Sequence, residues 1–337
     1  IIGEQATALM LFQQGNLDSA ELTSDDMAKY RMSDYLLKTD MTYTFRYIFG
    51  TDPTALAALE DEANDGANKR VLAYDDFRKG ISLAMDRATF CEQATPAYKP
   101  AYFLLNYLYY YDIEHNTESQ YRNTDPAKQA VLNLYGMTYG EGSEYATIDD
   151  AFNAVTGYDV EEARALFQGV YEQAIADGNY TDGQAININC MCSAATTMTP
   201  DDTKQMELLN TMVGEATKGT GFEGKITFKF MSGSSTRYDD VAAGRIEMIR
   251  GAWGGAAFYP FSTIRVYCEP DYMGGPAKIH ESCGWDPTKE NLTINIGGEE
   301  ITDTFQNWAK SLNGDGKYAG DADSSLLILS ALETGIL

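Results

Sequence analysis

Apolar residues recur through residues 75–90 at helical spacing. Phe77, Ile81, Ala84 and Ala88 form one stripe, with Met85 beside it. Arg78, Lys79, Ser82 and Asp86 fall on the opposite face. Asp75 and Asp76 open the segment, where carboxylates meet unpaired backbone N–H groups and the positive end of the helix dipole. This pattern predicts an amphipathic packing helix. A second stripe, Ala163, Leu166, Phe167, Val170 and Ala174, predicts a helix that opens on Asp159 with Glu162 in a capping-box-like pair and stops at Gly178. The period then switches from helical to two. Ile186, Ile188, Cys190 and Cys192 alternate with Asn187 and Asn189, which predicts a strand over residues 185–192. Thr199-Pro200 opens the next helix, whose stripe is Met206, Leu209, Val213 and Ala216. Ile226, Phe228 and Phe230 then alternate with Thr227 and Lys229. Strand, helix, strand in this order is a βαβ unit with right-handed parallel pairing, so the fold class is α/β.

The flanking regions are less regular. Residues 1–50 read as helix, short strand, helix, strand: a helix over 6–13 ending at Gly15, a short segment over 17–22, a helix opened by Ser24-Asp25-Asp26 and running through Tyr35 to Leu37, and an aromatic strand over 42–49. Residues 52–69, rich in Ala, Glu and Asp, read as an exposed helix or insertion. Residues 98–111 are the most aromatic part of the chain and read as a tyrosine-rich helix packed on a core, with a role in lining a cleft as the functional alternative. Residues 114–157 read as loops with one or two short helices. After a short helix from Tyr238 to Ala243 and a break at Gly244, a strand over 246–249 runs into Arg250-Gly251-Ala252-Trp253-Gly254-Gly255. Ligands of α/β sheets gather outside the carboxyl ends of strands, which makes this glycine-rich exit a place for binding. Residues 269–298 read as Gly- and Pro-rich loop, and two helices, over 302–312 and 324–333, follow.

Length and charge narrow the function. A chain of 337 residues exceeds the usual size of one domain, so one large or two unequal domains are expected. A formal charge of −25 opposes binding to nucleic-acid phosphates or to an anionic membrane surface. No apolar run reaches the ~18 residues that a membrane-spanning helix needs. The chain begins Ile1-Ile2-Gly3 and reads as a mature or excised segment. Its cysteines, Cys91, Cys190, Cys192, Cys268 and Cys283, are odd in number, so they cannot form a complete internal disulfide framework. Cys190 and Cys192 point to one face of their strand without further ligands nearby, which favours buried thiols over a metal half-site. The spacing allows a Cys268–Cys283 bridge without requiring one.

Catalytic and cofactor motifs are scarce. The two histidines, His115 and His280, read as surface or loop residues. Gly219, Gly221 and Gly224 spell G-x-G-x-x-G, but the motif follows a helix and precedes a strand, the reverse of a dinucleotide site. Asn313-Gly-Asp315-Gly-Lys317 places a cation where a calcium loop needs an oxygen ligand, so it reads as a solvated turn. No catalytic residue, metal or cofactor is assigned.

Five motifs, in order along the chain, resemble the family 5 extracellular solute-binding proteins of oligopeptide- and dipeptide-type ABC importers. "ALMLFQQGNLDSAELTSDD" resembles their A-x-x-A-F-x-x-G-E-L-D step, and "TYTFRYIFG" their T-x-Y-x-x-F-N strand into the second lobe. "DDFRKGISLAMDR" is similar to their D-x-R-x-R-x-A-L-x-x-A-I-D-R helix, and "DVEEARALFQGVYEQA" to their D-x-x-x-A-K-x-L-L helix. "GRIEMIRGAWGGAAFYPF" resembles their G-x-x-D-x-x-x-x-G-W-x-A-D-Y-x-D-P segment.

The resemblance implies a periplasmic-binding-protein-like fold of the type II, peptide-binding kind, with a mixed or parallel sheet flanked by helices. It implies that residues 1–50 form the edge of a first lobe leading into the crossover strand, and residues 51–337 a second, C-terminal lobe truncated at its end. It further implies a bacterial, extracytoplasmic protein, in the periplasm or anchored to the cell surface as a lipoprotein. Such a protein captures a peptide or other small oligomeric solute, acts as a monomer and hands its cargo to an ABC permease. Trp253, Gly254, Gly255, Ala256, Phe258 and Tyr259 would bind the ligand, with Trp253, Phe258 and Tyr259 as an apolar stacking wall. Ala256 stands where the family pattern has Asp, which pairs with a peptide's amino terminus in a contact worth about 1.5–3 kcal/mol. Either the amine is held otherwise, or the ligand is not a free peptide. An oligosaccharide ligand on the same scaffold, an α/β hydrolase-like domain, and a surface interaction protein whose transport role has lapsed are the competing readings.

Overall fold

The alternation of residues 186–230 produces the parallel centre of a four-stranded sheet. In a computed structural model of the chain, which describes residues 5–112, 118–193, 197–273, 285–318 and 322–337, six strands occur among the described residues. They are β1 (Thr44–Phe49), β2 (Ile186–Met191), β3 (Ile226–Phe230), β4 (Met248–Trp253), β5 (Asn291–Ile296) and β6 (Glu299–Thr304). The main sheet has the order β1-β4-β2-β3. β2 pairs in parallel with both β3 and β4, and β1 closes the edge antiparallel to β4, with Thr44 opposite Trp253. This is the mixed sheet flanked by helices that the sequence implied. His115, His280 and Cys283, and with the last the Cys268–Cys283 bridge, lie outside the described residues.

Helices Asp75–Ala84, Val160–Ala176 and Pro200–Ala216 bury their apolar stripes on the sheet face that carries Ile188, Cys190, Phe228 and Met248. At the centre Phe77 meets Phe167 and Phe222 edge-on, with ring centroids 5.5 and 5.6 Å away. Cys190 and Cys192 are both buried with sulfurs 3.7 Å apart, and burial pushes the Cys190 thiol well above its ordinary value. Ile48, Met191 and Ile249 cover the other face, against Val241 and Ile246. A second core, around the fully buried Trp308, joins helices Phe261–Cys268, Phe305–Leu312 and Ala322–Ile336 to the β5–β6 hairpin.

Several elements differ from their sequence expectation. The helix expected over residues 75–90 is two helices, Asp75–Ala84 and Arg87–Ala94. Met85 turns to φ −83°, ψ 108°, and Asp86 caps the new helix by accepting from the backbone N–H groups of Ala88 and Thr89. Arg87 holds the break closed by donating to the carbonyls of Ser82, Met85 and Gly157. Ala88 consequently leaves the stripe and faces solvent. Near the start, Thr23 rather than Ser24 is the cap, in a reciprocal box with Asp26, and the helix stops at Tyr30. Residues 17–22 form no strand.

Residues 98–111 are not a helix. Pro100 removes a donor, and the segment's backbone groups find partners far along the chain: the Leu104 carbonyl accepts from Thr44 Oγ1 at 2.8 Å, and Leu105 N–H donates to Glu333 Oε1 at 2.7 Å. Residues 52–69 do contain a helix, Pro53–Ala63, but Lys69 is buried rather than exposed. Its ammonium pairs with Glu247, whose Oε1 also accepts from Asn189 Nδ2 at 3.0 Å, so neither charge is left alone in the interior. Residues 269–298 hold strand β5, and the chain reverses into β6 through Gly297 and Gly298, at φ 65° and 90°. A two-residue hairpin turn of this hand needs positive φ at both positions, which glycine adopts without strain.

Candidate functional site

The strand expected over 246–249 lies later, as β4, so Arg250, Gly251, Ala252 and Trp253 are ladder residues rather than loop. The exit from the sheet is therefore Gly254-Gly255-Ala256, directly beyond the carboxyl end of β4. A pocket of about 450 Å³ opens there. Gly254, Gly255 and Ala256 form one wall, and Ser262, Thr263 and Tyr272 contribute the other. None of the described residues that line it carries a charge.

The segment at Tyr109 and Tyr110 and the helix Phe261–Cys268 fix the glycine wall. Tyr109, fully buried, accepts a hydrogen bond from the Gly255 N–H at 3.0 Å and donates to the Thr42 carbonyl at 3.1 Å. Tyr110 N–H donates to the Ala257 carbonyl at 2.8 Å. The irregular aromatic segment thus buttresses the site from behind. On the helix side, a β-carbon at position 255 would lie 2.0 Å from Thr263 Oγ1, so only glycine allows this approach. Thr263 sits in the first turn of helix Phe261–Cys268, is 1% exposed, and its hydroxyl has no hydrogen-bond partner among the described residues.

The sequence-derived residues divide as follows. Gly254, Gly255 and Ala256 line the pocket. Phe258 is 63% exposed and packs on Tyr110 with ring centroids 5.5 Å apart. Tyr259 packs edge-on against Phe261, and its hydroxyl donates to Asn313 Oδ1 at 2.8 Å. Burial raises the Tyr259 pKa, so the phenol is a neutral donor at physiological pH. The backbone of Trp253 ends β4; its side chain lies outside the described set. Sequence reasoning missed Thr263 and Tyr272, and it named the tyrosine run without singling out Tyr109. Arg46 is a further unexpected feature of the region: its guanidinium hydrogen-bonds the Tyr267 hydroxyl and lies 5.0 Å over that ring.

No protein-family model matches the chain, and no curated protein does. Solved structures do match. OppA of Listeria monocytogenes, solved bound to peptide, aligns with a TM-score of 0.57 at 14% identity, over 99% of this chain and 48% of that one. The substrate-binding domain of an oligopeptide ABC transporter from Bacillus anthracis gives 0.60 at 14% identity, over 99% and 49%. A periplasmic oligopeptide-binding protein from Borrelia burgdorferi gives 0.54 at 14%, over 99% and 48%. Among the described residues, no helix is long and apolar enough to cross a membrane. The chain has the fold of the family 5 oligopeptide-binding proteins, and it spans about half the length of these three solved structures.

Proposed function

We propose that the chain belongs to the substrate-binding component of an ABC importer, which captures an oligopeptide or dipeptide outside the membrane and delivers it to the permease. The observation that carries this reading is the pocket at the carboxyl end of β4, in a fold shared with proteins solved as peptide binders. On this reading residues 1–50 are the edge of a first lobe and residues 51–337 most of a second. Gly254, Gly255 and Ala256, with Trp253, Phe258 and Tyr259 around them, form the second lobe's side of the ligand cleft. Exposed apolar side chains near the start, Met32, Tyr35 and Leu37, suit a surface that another lobe covers. The protein would act as a monomer in the periplasm or as a cell-surface lipoprotein. The named neighbours are binding proteins, which favours capture over a hydrolase reading.

An oligosaccharide ligand is the second reading, because none of the described residues that line the pocket carries a charge and the exposed Phe258 follows its glycine wall closely in the chain. Calorimetric titration against a peptide pool and an oligosaccharide pool separates the two. The expected outcome is saturable heat with peptides, with a Kd in the range of about 1 μM to 1 mM for one lobe's share of the contacts. Heat with oligosaccharides alone would replace peptide with sugar as the ligand.

A further inference from the structure

Strand β3 is an edge of the main sheet: among the described residues it pairs with β2 alone. Its register fixes which backbone groups face outward. The Ile186 N–H donates to the Lys225 carbonyl and the Met231 N–H to the Cys190 carbonyl, so residues 225, 227, 229 and 231 bond toward β2. Ile226, Phe228 and Phe230 therefore turn their N–H and C=O groups away from the sheet. Such a row is a template for another strand. The sequence of β3, Ile-Thr-Phe-Lys-Phe, favours pairing, since it is β-branched and aromatic and holds neither proline nor glycine. An antiparallel pair with a second copy would centre on Phe228, with Ile226 opposite Phe230. Lys229 would then face Thr227 of the second copy rather than another lysine, so charge alone does not forbid the pair.

One side chain fills the middle of this row. Asn210, on helix Pro200–Ala216, accepts from the Phe228 N–H through Oδ1 at 2.9 Å and donates to the Phe228 carbonyl through Nδ2 at 2.9 Å. The same Nδ2 donates to the Met206 carbonyl at 2.8 Å, which holds the carboxamide in this orientation. Bound to both backbone groups of one residue, the carboxamide makes the contacts that a residue of an added strand would make.

We propose that Asn210 closes the β3 edge and thereby prevents two copies of the chain from joining β3 to β3 into one continuous sheet. A strand cannot run past the filled central position, so the outward groups of Ile226 and Phe230 are shielded with it. The inference does not depend on what the chain binds, and its failure would leave the peptide-binding reading untouched.

Asn210→Ala tests it by sedimentation and hydrogen–deuterium exchange, each run from micromolar to millimolar chain. Alanine is the strongest helix former, so the helix that carries the substitution should be retained. The unmodified chain is expected to show a slowly exchanging Phe228 amide and no change across residues 226–230 with concentration. In the variant the Phe228 amide should exchange rapidly at micromolar chain. Exchange across residues 226–230 should then slow by about tenfold or more as dimers form toward the millimolar range. Adding Thr227→Lys, at an exposed position, places a like charge opposite Lys229 across the pair and should return the variant to monomers. Concentration-independent exchange of residues 226–230 in Asn210→Ala overturns the proposal, and so does the same concentration dependence in the unmodified chain. Association that survives Thr227→Lys belongs to another surface and overturns it as well.

Discussion

Replacing Glu333 with glutamine is expected to destabilise the fold by about 3–5 kcal/mol, the loss typical when one partner of a buried ion pair is removed. Glu333 and Arg122 pair with both side chains fully buried. Glu333 Oε1 also accepts from the Leu105 N–H at 2.7 Å, and Oε2 accepts from the Tyr121 hydroxyl at 2.7 Å. Arg122 in turn donates to the carbonyls of Leu105 and Ala127 and lies 4.0 Å over the Phe103 ring. One ion pair thus satisfies the backbone of the irregular aromatic segment and ties it to the last helix. Glutamine keeps the shape but leaves the guanidinium uncompensated in the interior. Urea unfolding should show a lower midpoint with an unchanged slope. An Arg122→Met, Glu333→Leu double variant should not recover the loss, since it leaves the buried Leu105 N–H and carbonyl without their partners. A loss below ~1 kcal/mol for the glutamine variant, the size seen for exposed pairs, would contradict this account.

Phe77→Ala carries the second large effect, about 3–5 kcal/mol. Phe77 is fully buried where helices Asp75–Ala84 and Val160–Ala176 meet over the sheet, and its ring contacts Phe167 and Phe222 edge-on. Truncation removes those contacts and opens a void that close-packed neighbours fill only in part. Phe77→Leu keeps most of the volume and should cost less than half as much in the same unfolding measurement. Equal losses for the two variants would mean that ring geometry, rather than volume, governs the site.

The parts of the fold that were legible in the sequence are those where one period runs uninterrupted. Ile186, Ile188 and Cys190 alternate because their strand has one apolar face, and the stripe from Ala163 to Ala174 is buried as read, except for the half-buried Leu166. The period misleads where a polar residue has two uses. Asp86 fits the outer face of one long helix, yet its carboxylate caps a second helix instead. Residues 98–111 carry helix-like density of apolar side chains, but their backbone partners, Thr44 and Glu333, lie 60 and 228 residues away and leave no local trace. The β5–β6 hairpin was readable, since Leu292, Ile294 and Ile296 alternate up to a Gly-Gly turn. Composition masked that signal.

The site divides the same way. Its glycine run is contiguous and stands at a strand exit, so local rules located it. Tyr109 lies 146 residues from the Gly255 that it supports, and Thr263 looks like any residue of a first helical turn. Only the packing of helix Phe261–Cys268 against Gly255 sets the Thr263 hydroxyl apart.

Hydrogen–deuterium exchange with and without saturating peptide tests the central claim most directly. Ligand seated beyond the carboxyl end of β4 should slow exchange of backbone amides across residues 251–263, and of residues 109–110, whose partners are Gly255 and Ala257. Protection confined to the opposite end of the sheet, around residues 183–187 and 225–227, would contradict the placement of the site. Unchanged exchange throughout residues 251–263 at saturating peptide would do the same.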